Sequence, residues 1–254
     1  MKKALQIIAC IAVLFATVLP VDAQQELPAP FWEFKINAGY NIGGTSPIPL
    51  SAEVRKIEKY TPVAFPPHVA LEATRWFNDR WGLTAQLTLD LKGFNVKDSV
   101  LNLWTEMEMK DGYYTGTFTG HNETNIKNTY LTMPVMASYR LSDPWLLQAG
   151  IYAAWMYAAD FKGTASNGYI REGGPTGEKT LVDIARFDFS EKQRSFDCGL
   201  LAAAEWKFAR NFALRGQLAW GLTPIFPSSF TGMPFKMYNI YGTLGVSYLL
   251  KKLQ

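Results

Sequence analysis

With 254 residues, 48% of them hydrophobic and 14% aromatic, the chain is long enough to bury a sizeable core and too apolar to remain disordered. A formal charge of only +3 gives no electrostatic footprint for nucleic acid, and none is expected as a partner. With 2 histidines and 2 cysteines, few side chains are on hand to ligate a metal or build a disulfide framework, and neither metal nor cofactor is expected.

Lys2 and Lys3 precede an apolar run from Ala4 to Leu19, and Val21-Asp22-Ala23 then offers short side chains before Gln24. That order predicts a secretory signal peptide over residues 1–23, a short periplasmic segment over 24–30 and a single domain over 31–254. Cleavage removes Cys10 and leaves Cys198 alone. No later run is long and apolar enough for a transmembrane helix, so membrane entry would have to use strands.

Phe31 to Ile42 alternates Trp32, Phe34, Ile36, Ala38 and Tyr40 against Glu33, Lys35, Asn37 and Asn41, the period of a strand. Gly43 to Pro67 is proline-rich and reads as a loop. His68 to Phe77 resumes the alternation, and Asn78-Asp79-Arg80 turns the chain. Trp81 to Gly93 is the most regular stretch, with Trp81, Leu83, Ala85, Leu87, Leu89 and Leu91 opposite Thr84, Gln86, Thr88, Asp90 and Lys92. Phe94 to Asn128 reads as a long loop in which Asp111-Gly112 can seat a hairpin. Thr129 to Leu141, the turn Ser142-Asp143-Pro144 and Trp145 to Ala158 follow. A further long loop runs from Phe161 to Arg194. Phe196 to Phe208, the turn Ala209-Arg210-Asn211, Phe212 to Leu222, a proline-containing loop and Met237 to Leu250 complete the chain.

Long and short connections alternate along this series. Short turns on one side and long loops on the other are what an up-and-down barrel requires when both chain ends lie in the periplasm. The expected fold is therefore all-β, an eight-stranded antiparallel transmembrane β-barrel in the outer membrane, surrounded by lipid. Trp145 and Trp155, Phe196 and Trp206, and Tyr238 and Tyr248 are each ten residues apart on the apolar face. At about 3.3 Å per residue and a tilt near 40°, that spacing rises roughly 25 Å, the height between two aromatic girdles. Trp32, Tyr40, Trp81, Tyr139 and Trp220 are assigned to the same girdles.

The opposite face then places Glu33, Lys35, Glu72, Asp90, Lys92, Arg140, Asp197, Glu205, Lys207 and Arg215 inside. A barrel this narrow is filled by its own side chains, so an ion-paired plug is expected and not an aqueous pore. A turn centred on Arg210 sets Glu205 across from Arg215.

Three segments resemble a known family. Thr129 to Leu141, with its inward Pro134, Phe196 to Ile225, with Asp197, Gly199, Glu205 and Gly221-Leu222-Thr223, and Thr243 to Leu250 are similar to strands of the PorT-like outer-membrane β-barrel family. The last of these resembles the signal read by barrel-assembly machinery. The resemblance implies an outer-membrane barrel, and one branch of the family serves protein secretion.

No catalytic constellation emerges. His68 and His121 read as polar rim residues. Gly173 to Thr180 lacks the glycine spacing of a phosphate loop. A non-enzymatic anchor whose long loops meet surface partners is the first expectation. A secretion-apparatus subunit is the alternative, and a lipid-modifying enzyme ranks below both.

Overall fold

The computed structural model describes residues 30–63 and 67–254. The expected signal peptide at 1–23 lies outside the described residues, as does the segment 24–29. The strands are β1 (Phe31–Pro47), β2 (Val54–Pro62), β3 (Pro67–Trp76), β4 (Trp81–Met109), β5 (Gly112–Arg140), β6 (Trp145–Ala158), β7 (Phe161–Glu172), β8 (Lys179–Asp188), β9 (Phe196–Lys207), β10 (Phe212–Gly221) and β11 (Met237–Leu253).

All pair antiparallel in one 11-stranded sheet, where eight strands were expected. From β1 the ladder passes through β3, β4, β5, β6, β9 and β10 to β11 and back to β1. The circuit closes without β2, β7 and β8, which lie in the stretches read as loops. β2 pairs with β4 beyond the start of β3, β7 pairs with β5 below its tip, and β8 pairs with β7.

Short turns gather at one end. Asn78 Oδ1 accepts from the backbone N–H of Arg80 at 2.9 Å and of Trp81 at 2.8 Å, closing the β3–β4 turn. Trp145 N–H donates to Ser142 O, and Phe212 N–H to Ala209 O, in the other two. The opposite end carries the extension built from β2, the distal halves of β4 and β5, β7, β8 and the 222–236 loop.

Alternation within the circuit is strict and inverted relative to a soluble protein. Leu83, Leu87 and Leu89 are about half exposed on the outside, whereas Thr84, Gln86, Thr88, Asp90 and Lys92 are buried inside. Farther along β4 the rule reverses: Phe94, Val100, Leu103 and Met107 are buried, while Lys97 lies on the outer face in an ion pair with Glu123 at 2.8 Å. The switch falls at matching levels on β5, between Asn128 and Ile126, and on β11, between Asn239 and Met237. A polar lumen is therefore capped by an apolar chamber. The Phe94–Asn128 stretch read as a loop is in fact the continuation of β4 and β5. At Asn102, whose φ is 55°, a bulge between Val100 and Leu103 moves the inward positions from even to odd numbers.

Candidate functional site

The lumen is the largest concentration of polar chemistry in the fold, and strand parity puts it there. Glu205 of β9 and Arg215 of β10 are ladder partners, and their side chains meet at 2.5 Å. Lys35 of β1 reaches Glu205 at 2.9 Å, Glu33 at 3.1 Å and Glu72 of β3 at 3.8 Å. Arg215 also approaches Glu72 at 3.4 Å and donates to Gln148 Oε1 at 2.6 Å. Gln148 donates onward to Glu72 at 3.2 Å, and Asn37 donates to the same carboxylate at 3.0 Å. Each buried charge therefore has several partners, the condition under which ions persist away from water.

A second layer lies toward the extension. Asp90 pairs with His68 Nδ1 at 2.6 Å and accepts from Asn41 at 3.0 Å. Lys92 has its ammonium 4.9 Å from the Tyr130 ring, 5.2 Å from Tyr152 and 5.8 Å from Tyr241, an aromatic cage more than an ion pair. Asp197 accepts from the Tyr152 hydroxyl at 3.0 Å and from Asn239 at 3.0 Å. Gly199 makes room for that arrangement, since a Cβ there would come within 2.8 Å of the Tyr152 ring.

Of the expected interior charges, Arg140 and Lys207 stand apart. Arg140 donates to Asp79 O at 3.1 Å and lies over Trp76 at the short-turn mouth, and Lys207 is exposed there. Both sit at the last inward positions of their strands, where the lumen has already opened. His68 departs from expectation in the other direction: it is buried in the lumen and is not a rim residue, because it shares the inward parity of Glu72 and is the ladder partner of Asp90. His121 lies on β5 in the extension and pairs with Glu58 of β2 at 2.9 Å. The lumen's neutral members, Asn37, Asn41, Gln148, Tyr130, Tyr152, Asn239 and Tyr241, share parity with the charges, and that parity was the signal for including them.

The aromatics fall into two belts on the outside. At the short-turn end Trp81 lies 4.7 Å from Tyr139, Phe212 4.9 Å from Tyr248, and Trp145 opposes Trp206 in the ladder. Trp32 joins them, with its ring under the Arg75 guanidinium. At the other end Trp155 opposes Phe196, and Trp220 and Tyr238 lie close by along β10 and β11. Tyr40 is half-buried at this level, where its hydroxyl donates to Val63 O at 3.0 Å. Cys198 is half-buried beside Thr223, with Sγ 3.2 Å from the hydroxyl.

Among solved structures the chain is similar to Ail, the attachment invasion locus protein of Yersinia pestis in complex with the heparin analogue sucrose octasulfate. That similarity has 11% identity and a TM-score of 0.37, over 87% of this chain and 98% of Ail. It is also similar to an outer membrane channel from Pseudomonas putida F1, at 10% identity and a TM-score of 0.25 over 91% of this chain and 99% of that one. The translocator domain of the autotransporter NalP from Neisseria meningitidis is similar at 10% identity and a TM-score of 0.20, over 96% of this chain and 95% of that one. No curated protein matches the chain. The sequence does match a family model, described as outer membrane protein beta-barrel domain, which is broader than the PorT-like group and does not specify it. Because that match runs over residues 23–227 and takes in most of the pairing circuit, the chain belongs to the outer membrane protein beta-barrel domain family and is an outer-membrane protein.

Proposed function

We propose that β1, β3, β4, β5, β6, β9, β10 and β11 form a closed eight-stranded transmembrane anchor. In this reading the lumen conducts no solute, and the anchor holds the extension above the membrane as a surface for partners. The carrying observation is the filled lumen, in which Lys35, Glu72, Glu205, Arg215 and Gln148 form one hydrogen-bonded plug. Moving ions through it would require breaking buried pairs with nothing to replace them.

The partner role rests on the extension's edge. β8 forms a single ladder pair with β4, Glu108↔Arg186, so most of its edge away from β7 carries no ladder partner among the described residues. Leu181 and Ile184 are 76% and 67% exposed on that strand. Unpaired edges of this kind accept another chain's strand. The protein acts in this reading without enzymatic activity, with lipid around it and barrel-assembly machinery as its partner during insertion.

Reconstituted into planar bilayers, the protein is expected to give no conductance steps of porin size. Steady steps of that size would overturn the plugged-anchor reading. A PorT-like role in a secretion apparatus draws only on the strand resemblances, and its test is whether deletion blocks export of other proteins.

A further inference from the structure

Above the plug, the apolar chamber contains a cavity of about 320 Å³, within the size range that takes small molecules. Its floor is Phe94, Ile126 and Met237, the first apolar ring beyond the lumen's polar layer. Its walls are almost wholly apolar. Among the described residues no lysine, arginine or histidine lines it, and the carboxylate that does is Asp98 of β4. Asp98 follows Phe94 and Val96 on the inward side of the strand, where an aliphatic residue would continue the pattern.

The opening has a physical cause. β1 runs up to Pro47 and β2 starts at Val54, yet the two share no ladder pairing among the described residues, which leaves a seam in the extension. A phenol bridges it: the Tyr60 hydroxyl donates to Gly43 O at 2.6 Å and accepts from Gly43 N–H at 3.2 Å. Leu50 and Ile57 line the cavity at this seam and are about half exposed, so its lip is apolar.

We propose that this cavity binds a hydrophobic amine, whose apolar body fills the chamber and whose ammonium pairs with Asp98. Charge complementarity selects the class. A buried carboxylate in an apolar wall is costly without a cation beside it. Asn122, its ladder neighbour on β5, supplies one hydrogen bond, and Asp98 Oδ1 is buried without a partner among the described residues. Aromatic rings complete the fit, because Tyr60, Phe94, Phe161, Phe187 and Phe189 also line the cavity and their faces attract cations.

Burial pushes the Asp98 carboxyl up to about 6, and Glu58 adds to the shift. The other charged groups nearby are committed elsewhere: Glu58 of β2 pairs with His121 of β5, and Lys97 of β4 with Glu123 of β5 on the outer face. Tyr60 of β2 is held neutral, its hydroxyl pushed up by burial. The parts of β1, β11 and the 222–236 loop that line the cavity bring only uncharged side chains. The carboxylate is therefore charged above pH 6 and neutral below it, and the amine's advantage follows the charged form.

Calorimetry on the full chain in lipid nanodiscs tests this, with phenylbutylamine, phenylbutanol and phenylbutyrate as probes. At about pH 8 the amine should bind about tenfold more tightly than the alcohol, with the carboxylate weakest. The gap should close in Asp98→Asn, and in the natural chain at about pH 5. No binding by any probe would overturn the site, and equal binding of amine and alcohol at about pH 8 would overturn the role of Asp98. Filling the chamber by Val96→Trp, or by Thr124→Phe, should abolish binding of all three. Unchanged binding in both variants would place the site elsewhere. The cavity lies above the plug, so the conductance result bears on the anchor reading alone.

Discussion

At the residue scale, the Glu205–Arg215 pair carries the lumen. With both side chains buried, Arg215→Met leaves Glu205 and Glu72 to share Lys35 alone as their cation among the described residues. Breaking a buried pair from one side costs about 3–5 kcal/mol, so this variant should unfold at distinctly lower urea when refolded in detergent. Adding Glu205→Gln should recover part of the loss, because the two changes share one network. Strictly additive effects would mean that the pair is not coupled. This pair was legible in advance, since a turn centred on Arg210 fixes the register and the alternation fixes the face. Asp98 was not legible, because inward polarity was the rule learned from Trp81 to Gly93 and nothing local announces that the rule reverses after Lys92.

At the element scale, β3, β6, β9 and β10 were read to within a residue at either end because apolar and polar positions alternate there, whereas β1, read to Ile42, runs to Pro47 and β11, read to Leu250, runs to Leu253. The extension was not read this way. Its outer faces carry Asn, Thr, Lys and Glu, its inner faces mix glycine with aliphatic residues, and the bulge at Asn102 resets the period, so polar loop and polar strand look alike. β2, half-buried only at its ends, shows no alternation at all. Since the circuit closes below this level, replacing residues 95–125 with a tight turn should leave a barrel that still shifts on gels when heated. It should also strip β2 and β7 of their partners and make residues 161–194 sensitive to protease. A variant that no longer shifts on heating would show that the extension is needed to close the barrel.

At the scale of the whole molecule, one sheet satisfies two solvents. In the circuit every backbone group has a neighbouring strand and no edge is left to lipid, while the side chains sort apolar to the outside and polar to the inside. Above the second aromatic belt the same strands sort the other way, as a water-facing protein must. The sorting, more than any single residue, places the membrane between Trp81 and Leu91 on β4. Nitroxides placed singly at positions 86, 87, 88 and 89, in protein reconstituted in liposomes, measure it directly through their collision rates with oxygen and with a water-soluble nickel chelate. Positions 87 and 89 should show high oxygen and low nickel accessibility, with 86 and 88 shielded from both; high nickel accessibility at 87 and 89 would contradict the account.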